Sequence, residues 1–523
     1  MPETPRLDPL PSRAGRGGAI RSRYLCQPPK YFGAACRRYH LTALVIALWI
    51  LAVAVRLLLI DQPFIDRWSW RQSDVAAITR NFCENGFRFA YPQIDWAGGA
   101  PGYVGTEFPI LSFLTAVFYK FAGVQEWIGR SASVVSFAAS LPFFFLLMRQ
   151  TFGSTPALWA TFFYCFAPLN VFAGRSFMPD VPSLTLAIMG LYFFLRWIND
   201  GDLVQFCLAA ITISLSILVK VTSIVIAAPL LFLIWRKWRW NFLKRLDLWL
   251  FGGITVLPSV AWYWHAYQVA REFYPHHFFG EGGIRIENFA CYWEIARRTI
   301  AGLTPLLLVM ALIGLFVAPR SRFSGLFHWW LTGMILFIII VGYGNRHPWY
   351  QLPLVPITAA FAGVACACIG SKIPASRVAT VTLSILLAGS FSALAFVYVR
   401  PLYKSSATQL RDAGLELNKI TAPSALIVAA DTGDPTIFYY AKRKGWHFLE
   451  TDAIYNGNPV DSQQAILDLE QLRRHGATHL VLTTNTFWWL EYYPEFIQHL
   501  GETAALMETN RQFRIYRLNP AAE

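Results

Sequence analysis

Apolar positions in this chain come in long unbroken runs, rather than the alternation of a half-buried strand or the single stripe of a soluble helix. A helix needs about 20 apolar residues to cross a bilayer. The first such run is Leu41–Ile60. Others follow at Ser131–Met148, Pro156–Phe172, Val181–Leu195, Leu203–Val219, Val221–Trp235 and Leu246–Tyr267. The last four are Ile300–Val317, Leu326–Val341, Gln351–Ile369 and Val378–Val399. The pattern predicts a polytopic α-helical membrane protein with about eleven transmembrane helices. One further stretch, Phe108–Gly123, is apolar but only 16 residues long and contains Lys120.

After about Pro401 the pattern changes. Short strand-like runs (Ala425–Ala430, His479–Thr483, Phe513–Leu518) alternate with helix-like ones (Thr436–Lys444, Asp461–His475, Pro494–Leu506). This predicts a small C-terminal soluble α/β domain. The chain divides into a basic segment 1–40, a membrane domain 41–400 and the α/β domain 401–523. Met1 to about Gly18 reads as disordered.

Composition strengthens the membrane reading. The chain is 55% hydrophobic and 15% charged, against about 25% charged in soluble domains. The net charge of +14 comes from Lys and Arg in short clusters between apolar runs. That points to membrane lipids as partners, not nucleic acid. The first 40 residues hold eight Lys or Arg and two acids, which places the N-terminus in the cytoplasm before an uncleaved first helix.

The short run Phe108–Gly123 then decides the topology. If it crossed, Arg236, Lys237, Arg239, Lys244, Arg245, Arg320, Arg322, Lys372 and Arg377 would lie outside. If it lies at the interface, all of them lie inside, as the positive-inside rule requires. We read it as a juxtamembrane helix of the first outer loop. The odd number of spans then puts the C-terminal domain outside. Among the eight cysteines, Cys366 and Cys368 sit in an apolar run and read as packing. Cys83 and Cys291 alone fall in outer loops, where an oxidising compartment would allow a disulfide. No phosphate-binding loop, dinucleotide fingerprint or nucleophile elbow occurs in a suitable context.

Candidate chemistry gathers on the outer face. Asp74, Glu107 and Asp180 come from three separate segments. Each alone reads equally well as a solvated loop acid or a helix cap; convergence on one face favours function. Glycosyl transfer would use such acids: a carboxylate takes the acceptor proton, and negative charge supports an oxocarbenium-like transition state. A phosphate leaving group needs cationic donors. Lys220, Arg346 and His347 supply them, although Lys220 could instead snorkel to the interface. Arg56 is read as snorkelling. The pair His276–His277, with Glu272 and Glu281, could ligate a metal but fits a solvated or substrate-facing loop better. Trp68, Trp70, Tyr91, Trp96 and Tyr103 suit either sugar stacking or an interfacial belt. Trp488–Trp489 and Tyr492–Tyr493 suit either membrane docking or an acceptor groove.

Four runs in order, Trp70–Phe82 (WRQSDVAAITRNF), Thr106–Leu114 (TEFPILSFL), Arg175–Leu184 (RSFMPDVPSL) and His347–Pro356 (HPWYQLPLVP), resemble the GT-C glycosyltransferases. Within them the protein O-mannosyltransferase and aminoarabinose transferase group is most similar. The resemblance covers roughly residues 41 to 400. It implies an integral membrane enzyme that moves a sugar, with inversion, from a polyprenyl-phosphate (undecaprenyl-phosphate-like) donor. The acceptor would be a glycan, lipid or protein at the periplasmic face of a bacterial inner membrane. It implies roles for Glu107 and Asp180, and places Tyr350 near the lipid phosphate. Arg71, Gln72 and Arg175 lie in the same runs and join as substrate-loop candidates. Many members carry an Asp-Glu pair in the first motif. Here Arg71-Gln72 stands in that register, so the base is Asp74 or, upstream, Asp66, with Asp74 preferred. A divalent metal is left open. Two rivals remain: a transporter or flippase of lipid-linked sugars, and a non-catalytic subunit of an envelope polysaccharide machine.

Overall fold

A computed structural model describes residues 34–279, 284–319, 323–372, 376–451 and 454–520. The basic leader before residue 34, Glu281, Arg320 and Arg322 fall outside the described residues. The first half of the chain forms α1 (Ala34–Leu57), α2 (Ser69–Asn85), α3 (Ile110–Ala122), α4 (Glu126–Phe152), α5 (Ser154–Phe166), α6 (Pro168–Ala173), α7 (Asp180–Asp200), α8 (Leu203–Val219), α9 (Ala227–Trp238) and α10 (Leu246–Glu272). Then come α11 (Phe289–Leu303), α12 (Pro305–Val317), α13 (Gly325–Ile340), α14 (Leu354–Lys372) and α15 (Arg377–Val399). Six helical stretches among the described residues are long and apolar enough to cross a membrane, or seven if one bent pair is a single span. Leu41–Leu57, Leu203–Val219 and Gly325–Ile340 are apolar but shorter. This is an integral membrane architecture with a small C-terminal sheet.

Two of the expected runs are broken rods. Pro156–Phe172 divides at Ala167 into α5 and α6, and Ile300–Val317 divides at Thr304, where α11 and α12 meet at 96°. Proline follows each break, at 168 and 305. It lacks an N–H and pushes the preceding residue out of the helical region; Ala167 has ψ 129° and Thr304 has φ 73°. A break at membrane depth frees carbonyls that lipid cannot satisfy. Arg56 answers this at the first break. It is fully buried, donates to the carbonyls of Cys165 and Asn170 (both 3.0 Å) and of Ala52 (2.9 Å), and lies 3.3 Å over the Phe137 ring. The snorkelling expected for Arg56 is therefore corrected: its charge is held inside by backbone carbonyls around the break.

The helix α3 has 13 residues, about 20 Å at 1.5 Å per residue, well short of a bilayer core of about 30 Å. It turns Ser112, Thr115, Ala116 and Tyr119 inward and exposes Leu114, Val117, Phe118 and Phe121. Apolar side out and polar side in is the reverse of a water-facing helix, and suits a lipid-facing one. In the bundle, α7 packs along α4 and α8, while α14 packs along α5 and α12. Close approach there depends on two glycines. A Cβ on Gly363 would lie 2.4 Å from the Pro156 carbonyl oxygen, and one on Gly314 would lie 1.8 Å from that of Phe361. Small residues at such crossings let helix backbones meet.

The tail folds as α16 (Thr408–Ile420), β1 (Leu426–Ala430), α17 (Thr436–Ala441), β2 (Lys444–His447), β3 (Glu450–Thr451), β4 (Ile454–Tyr455), α18 (Ser462–Arg474), β5 (His479–Thr483), α19 (Trp489–Tyr492), α20 (Pro494–Thr503), β6 (Ala504–Thr509) and β7 (Phe513–Leu518). The main sheet has order β2-β1-β5-β7-β6, parallel across β2-β1-β5 and antiparallel beyond. Strand β6 begins inside the run read as helical to Leu506, and β2 begins at Lys444, the last residue of the other helix-like run. Pairing with β1 and β7 overrides local propensity there. The tail is also joined to the membrane domain by a shared core. Val75, Ala76, Ile78 and Phe82 of α2 pack in one cluster with Leu410 and Leu417 of α16, Ile427 of β1 and Phe438 of α17.

Candidate active site

The buried charges at one end of the bundle come from four places. The segment before α3 brings Glu107, the start of α7 brings Asp180, the residue after α8 is Lys220, and α2 brings Arg71 and Asp74. Arg71 spans the two acids nearest it, with Nη1 2.5 Å from Asp74 Oδ2 and Nη2 bonded to Glu107 Oε2. Lys220 Nζ continues the chain, 3.2 Å from Glu107 Oε1 and 2.9 Å from Asp180 Oδ1. The ammonium also sits 4.6 Å from the centre of the Tyr350 ring, a cation–π contact. The order along the site is thus Asp74, Arg71, Glu107, Lys220, Asp180.

The site reaches further than the sequence indicated. His277 Nε2 lies 2.8 Å from Asp74 Oδ1, across 203 residues of chain. The pairing signal in the sequence was only a His doublet in an outer loop. Burial alone would raise the Asp74 carboxyl; His277 and Arg71 outweigh it and hold the group below the usual carboxylate range. Burial is likewise outweighed at Glu107, where Lys220 and Arg71 keep the carboxyl low. Within this cluster, Asp180 Oδ2 and His277 Nδ1 are buried with no hydrogen-bond partner among the described residues.

Two recesses flank this row of charges. One, with about 330 Å³ of empty space, is lined by Arg71, Asp74, Thr106, Glu107 and Ser112. The other, with about 240 Å³, is lined by Asp180, Lys220, Ser223, Trp349 and Tyr350. The Glu107–Lys220 pair stands between them. Beside the second, His347 stacks on Trp349 (4.7 Å between ring centres) and on the exposed Trp70 (5.6 Å). Burial and then the neighbouring Arg346 push the His347 imidazole down to about 3. It is therefore neutral at physiological pH, and a phosphate there would meet an N–H donor, not a cation. Arg346 itself is exposed and lies 3.8 Å over the Tyr343 ring.

The remaining candidates lie elsewhere. Asp66 is fully buried. Its Oδ1 accepts from Gln72 Nε2 (2.8 Å) and the Trp68 N–H (3.0 Å); its Oδ2 faces Arg130 (3.1 Å) and Arg175 (3.7 Å). Gln72 also accepts from the Phe177 N–H (3.2 Å). Gln72 and Arg175 thus belong to this internal network and do not line either recess. Trp68 and Trp96 are buried, as are Trp489 and Tyr493, while Trp488 and Tyr492 are exposed. Cys83 and Cys291 are free thiols, so the disulfide allowed by the sequence is absent.

A divalent ion does not fit this donor set. Asp74, Glu107 and Asp180 already face Arg71, Lys220 and His277, and an ion would have to displace a resident cation from each pair of acids. Among the described residues no group of three His, Cys, Asp or Glu has metal-holding geometry.

Residues 106–264 match the family model described as dolichyl-phosphate-mannose-protein mannosyltransferase. This segment contains Glu107, Asp180 and Lys220. The architecture matches solved structures over most of the chain. ArnT from Cupriavidus metallidurans, bound to undecaprenyl phosphate, superposes with a TM-score of 0.62 at 17% identity, covering 93% of this chain and 98% of that one. The fold is that of the GT-C glycosyltransferases. The oligosaccharyltransferase of Archaeoglobus fulgidus, in complex with Zn and sulfate, gives 0.59 at 13% identity, covering 88% and 71%. The mycobacterial arabinofuranosyltransferase AftD gives 0.52 at 13%, covering 92% and 42%. These relatives are glycosyltransferases or oligosaccharyltransferases. No curated protein matches by sequence.

Proposed function

We propose that this GT-C-fold protein transfers a sugar from a polyprenyl phosphate to an acceptor hydroxyl on the periplasmic face of a bacterial inner membrane, inverting the anomeric carbon. The observation that carries the reading is the Asp74–Arg71–Glu107–Lys220–Asp180 row between two recesses. The ArnT relative holds undecaprenyl phosphate, which supports a lipid phosphate as the donor's handle. In this mechanism the phosphate rests by Lys220 and Tyr350, with Arg346 and His347 at the rim. The acceptor enters the recess beside Arg71 and Asp74.

The acceptor oxygen attacks the anomeric carbon from the side opposite the phosphate. The bond from that carbon to the phosphate oxygen breaks, and its electron pair leaves with the phosphate, which Lys220 neutralises. The acceptor proton passes to Asp74. A carboxyl held low is a weak base, but an oxocarbenium-like transition state asks for little proton transfer before the leaving group has gone. Glu107 orients both cations, and Asp180 Oδ2 remains free to bind a hydroxyl.

Eleven crossings, with the N-terminus cytoplasmic and the tail periplasmic, complete the proposal. In its support, the basic cluster after α9 reaches the far end of α7, where Lys237 bonds the Ile198 carbonyl. The acid row sits at the other end, at Asp180. Reporter fusions after residues 240 and 520 should report opposite sides.

The deciding experiment is transfer by purified protein from radiolabelled polyprenyl-phosphate sugars to a cell-envelope extract, wild type beside Asp74→Asn, Glu107→Gln and Asp180→Asn. Normal transfer by all three variants would sink the mechanism.

A further inference from the structure

The first turn of α2 has no cap of its own. The residue before it, Trp68, offers no side-chain acceptor, and the turn contains no acid. Free N–H groups and the positive end of the helix dipole are normally met by a local Ser, Thr, Asp or Asn. At the entry of α2, Asp66 accepts the Trp68 N–H on Oδ1 and the Ser69 N–H on its carbonyl, and the tail adds an acid at the Ser69 hydroxyl. Ser69 Oγ donates to Asp434 Oδ2 at 2.7 Å. Thr436 donates to Asp434 Oδ1 twice, from its hydroxyl (2.5 Å) and its N–H (3.0 Å). Ser73 Oγ lies 2.9 Å from Thr436 Oγ1. The Thr436 proton is committed to Asp434, so Ser73 is the donor in that pair. The result is a ring of hydrogen bonds between one turn of α2 and the loop after β1.

Helical geometry makes this ring matter for the site. Ser69 and Ser73 are four apart and share a face. Arg80 lies on the same face and donates to the Tyr439 carbonyl at 2.5 Å. Arg71 and Asp74 point to the opposite side of the same two turns, toward Glu107. The loop that grips α2 is itself fixed. Asp431 accepts from His447 Nδ1 (2.8 Å) and from the Gly433 N–H (3.0 Å), and Gly433 sits at φ 78°. A rotation or slide of α2 against this loop would carry Arg71 and Asp74 out of line with Glu107 and Lys220.

We propose that the C-terminal domain sets the position of the Arg71–Asp74 turn, with Asp434 and Thr436 as positioning residues that act through Ser69 and Ser73. The proposal rests on the reading of Asp74 as the base. It makes the tail part of the transfer machinery. Misplacing a reacting group by about 1 Å can cost on the order of 100-fold in rate, so the loss of one strut in the ring should cost about tenfold.

The test uses the full chain in nanodiscs: Thr436→Val, Ser73→Ala, their double variant, Thr436→Ser, and Asp74→Asn as reference. The expected result is a kcat about tenfold lower for Thr436→Val, with the KM for the lipid donor and the thermal midpoint unchanged. The double variant should be no worse than the poorer single one, and Thr436→Ser should recover the rate. Hydrogen exchange of the amides at 70–75 should quicken in Thr436→Val. Wild-type kcat and exchange in Thr436→Val, beside an inactive Asp74→Asn, would overturn the clamp. So would a loss of kcat that follows the thermal midpoint. An active Asp74→Asn would refute the base instead, and the clamp would then stand or fall on exchange alone.

Discussion

Two buried acids eight positions apart in the sequence, Asp66 and Asp74, sit in opposite surroundings. Asp66 is closed: each oxygen is met by two protein donors or cations, from Trp68, Gln72, Arg130 and Arg175. Both Asp74 oxygens are met as well, by His277 and Arg71, but its row, three acids against the two cations Arg71 and Lys220, is incomplete. It borders two recesses and leaves Asp180 Oδ2 and His277 Nδ1 unbonded among the described residues. Buried charge by itself does not mark function. A fully satisfied carboxylate is structure, and one that keeps bonding capacity beside open space is equipped to act.

The largest test of that contrast is Asp74→Asn. Transfer should fall by about 100- to 10,000-fold, the usual worth of a general base, while the thermal midpoint stays near wild type. Asp66→Asn should do the reverse. It leaves Arg130 and Arg175 buried against a neutral group, which costs about 3–5 kcal/mol of stability, so thermal unfolding in detergent should come markedly earlier and activity should be lost with the fold. Comparable stability of the two variants would erase the distinction.

A smaller effect sharpens it. His277 is the leading influence that holds Asp74 down, after burial, which pushes it up. In wild type the acid limb of the kcat profile should therefore lie below the ordinary Asp value of about 3.9, because Asp74 stays ionised until the pH falls past its depressed value. In His277→Ala the limb should move to higher pH. An unmoved limb would separate His277 from the base. Least in size is the behaviour of His347. Held to about 3 by burial and Arg346, its ring should show no titration by NMR between about pH 5 and 8, where an ordinary histidine changes charge.

Much of this was legible in the sequence, for reasons that can be named. Glu107, Asp180 and Lys220 stand at the ends of apolar runs, where an ionisable side chain has little reason to be, Asp74 stands in an adjoining polar segment and Tyr350 was marked by the family resemblance; the structure brings the five together. The short run at 108–123 was read by charge balance as lying along the membrane, and it forms the 13-residue helix α3 with its apolar side exposed. What escaped depends on distance along the chain. Nothing local ties His277 to Asp74, and nothing local separates Gln72 from Arg71, one residue away but turned into the Asp66 network. Arg56 was misread because its partners lie 109 and 114 residues along the chain, the carbonyls of Cys165 and Asn170 on either side of the break at Pro168. That break did leave a mark, in Ala167-Pro168.

The shared core has a consequence for how the molecule is made. Phe64, Val75, Ile78 and Phe82 leave the ribosome early, yet the residues that cover them include Leu410, Ile427, Phe438 and Ile515. Bundle helices can enter the bilayer as they are synthesised, because each satisfies its own backbone. The segment that carries α2 cannot complete its core until roughly 300 more residues have been made. During that interval the apolar face of α2 is uncovered. If the tail positions α2 as proposed, the acid row is complete only once the tail has folded. A chain stopped before residue 400 would carry nearly all the apolar helices and still lack Leu410, Ile427, Phe438 and Ile515, which cover α2.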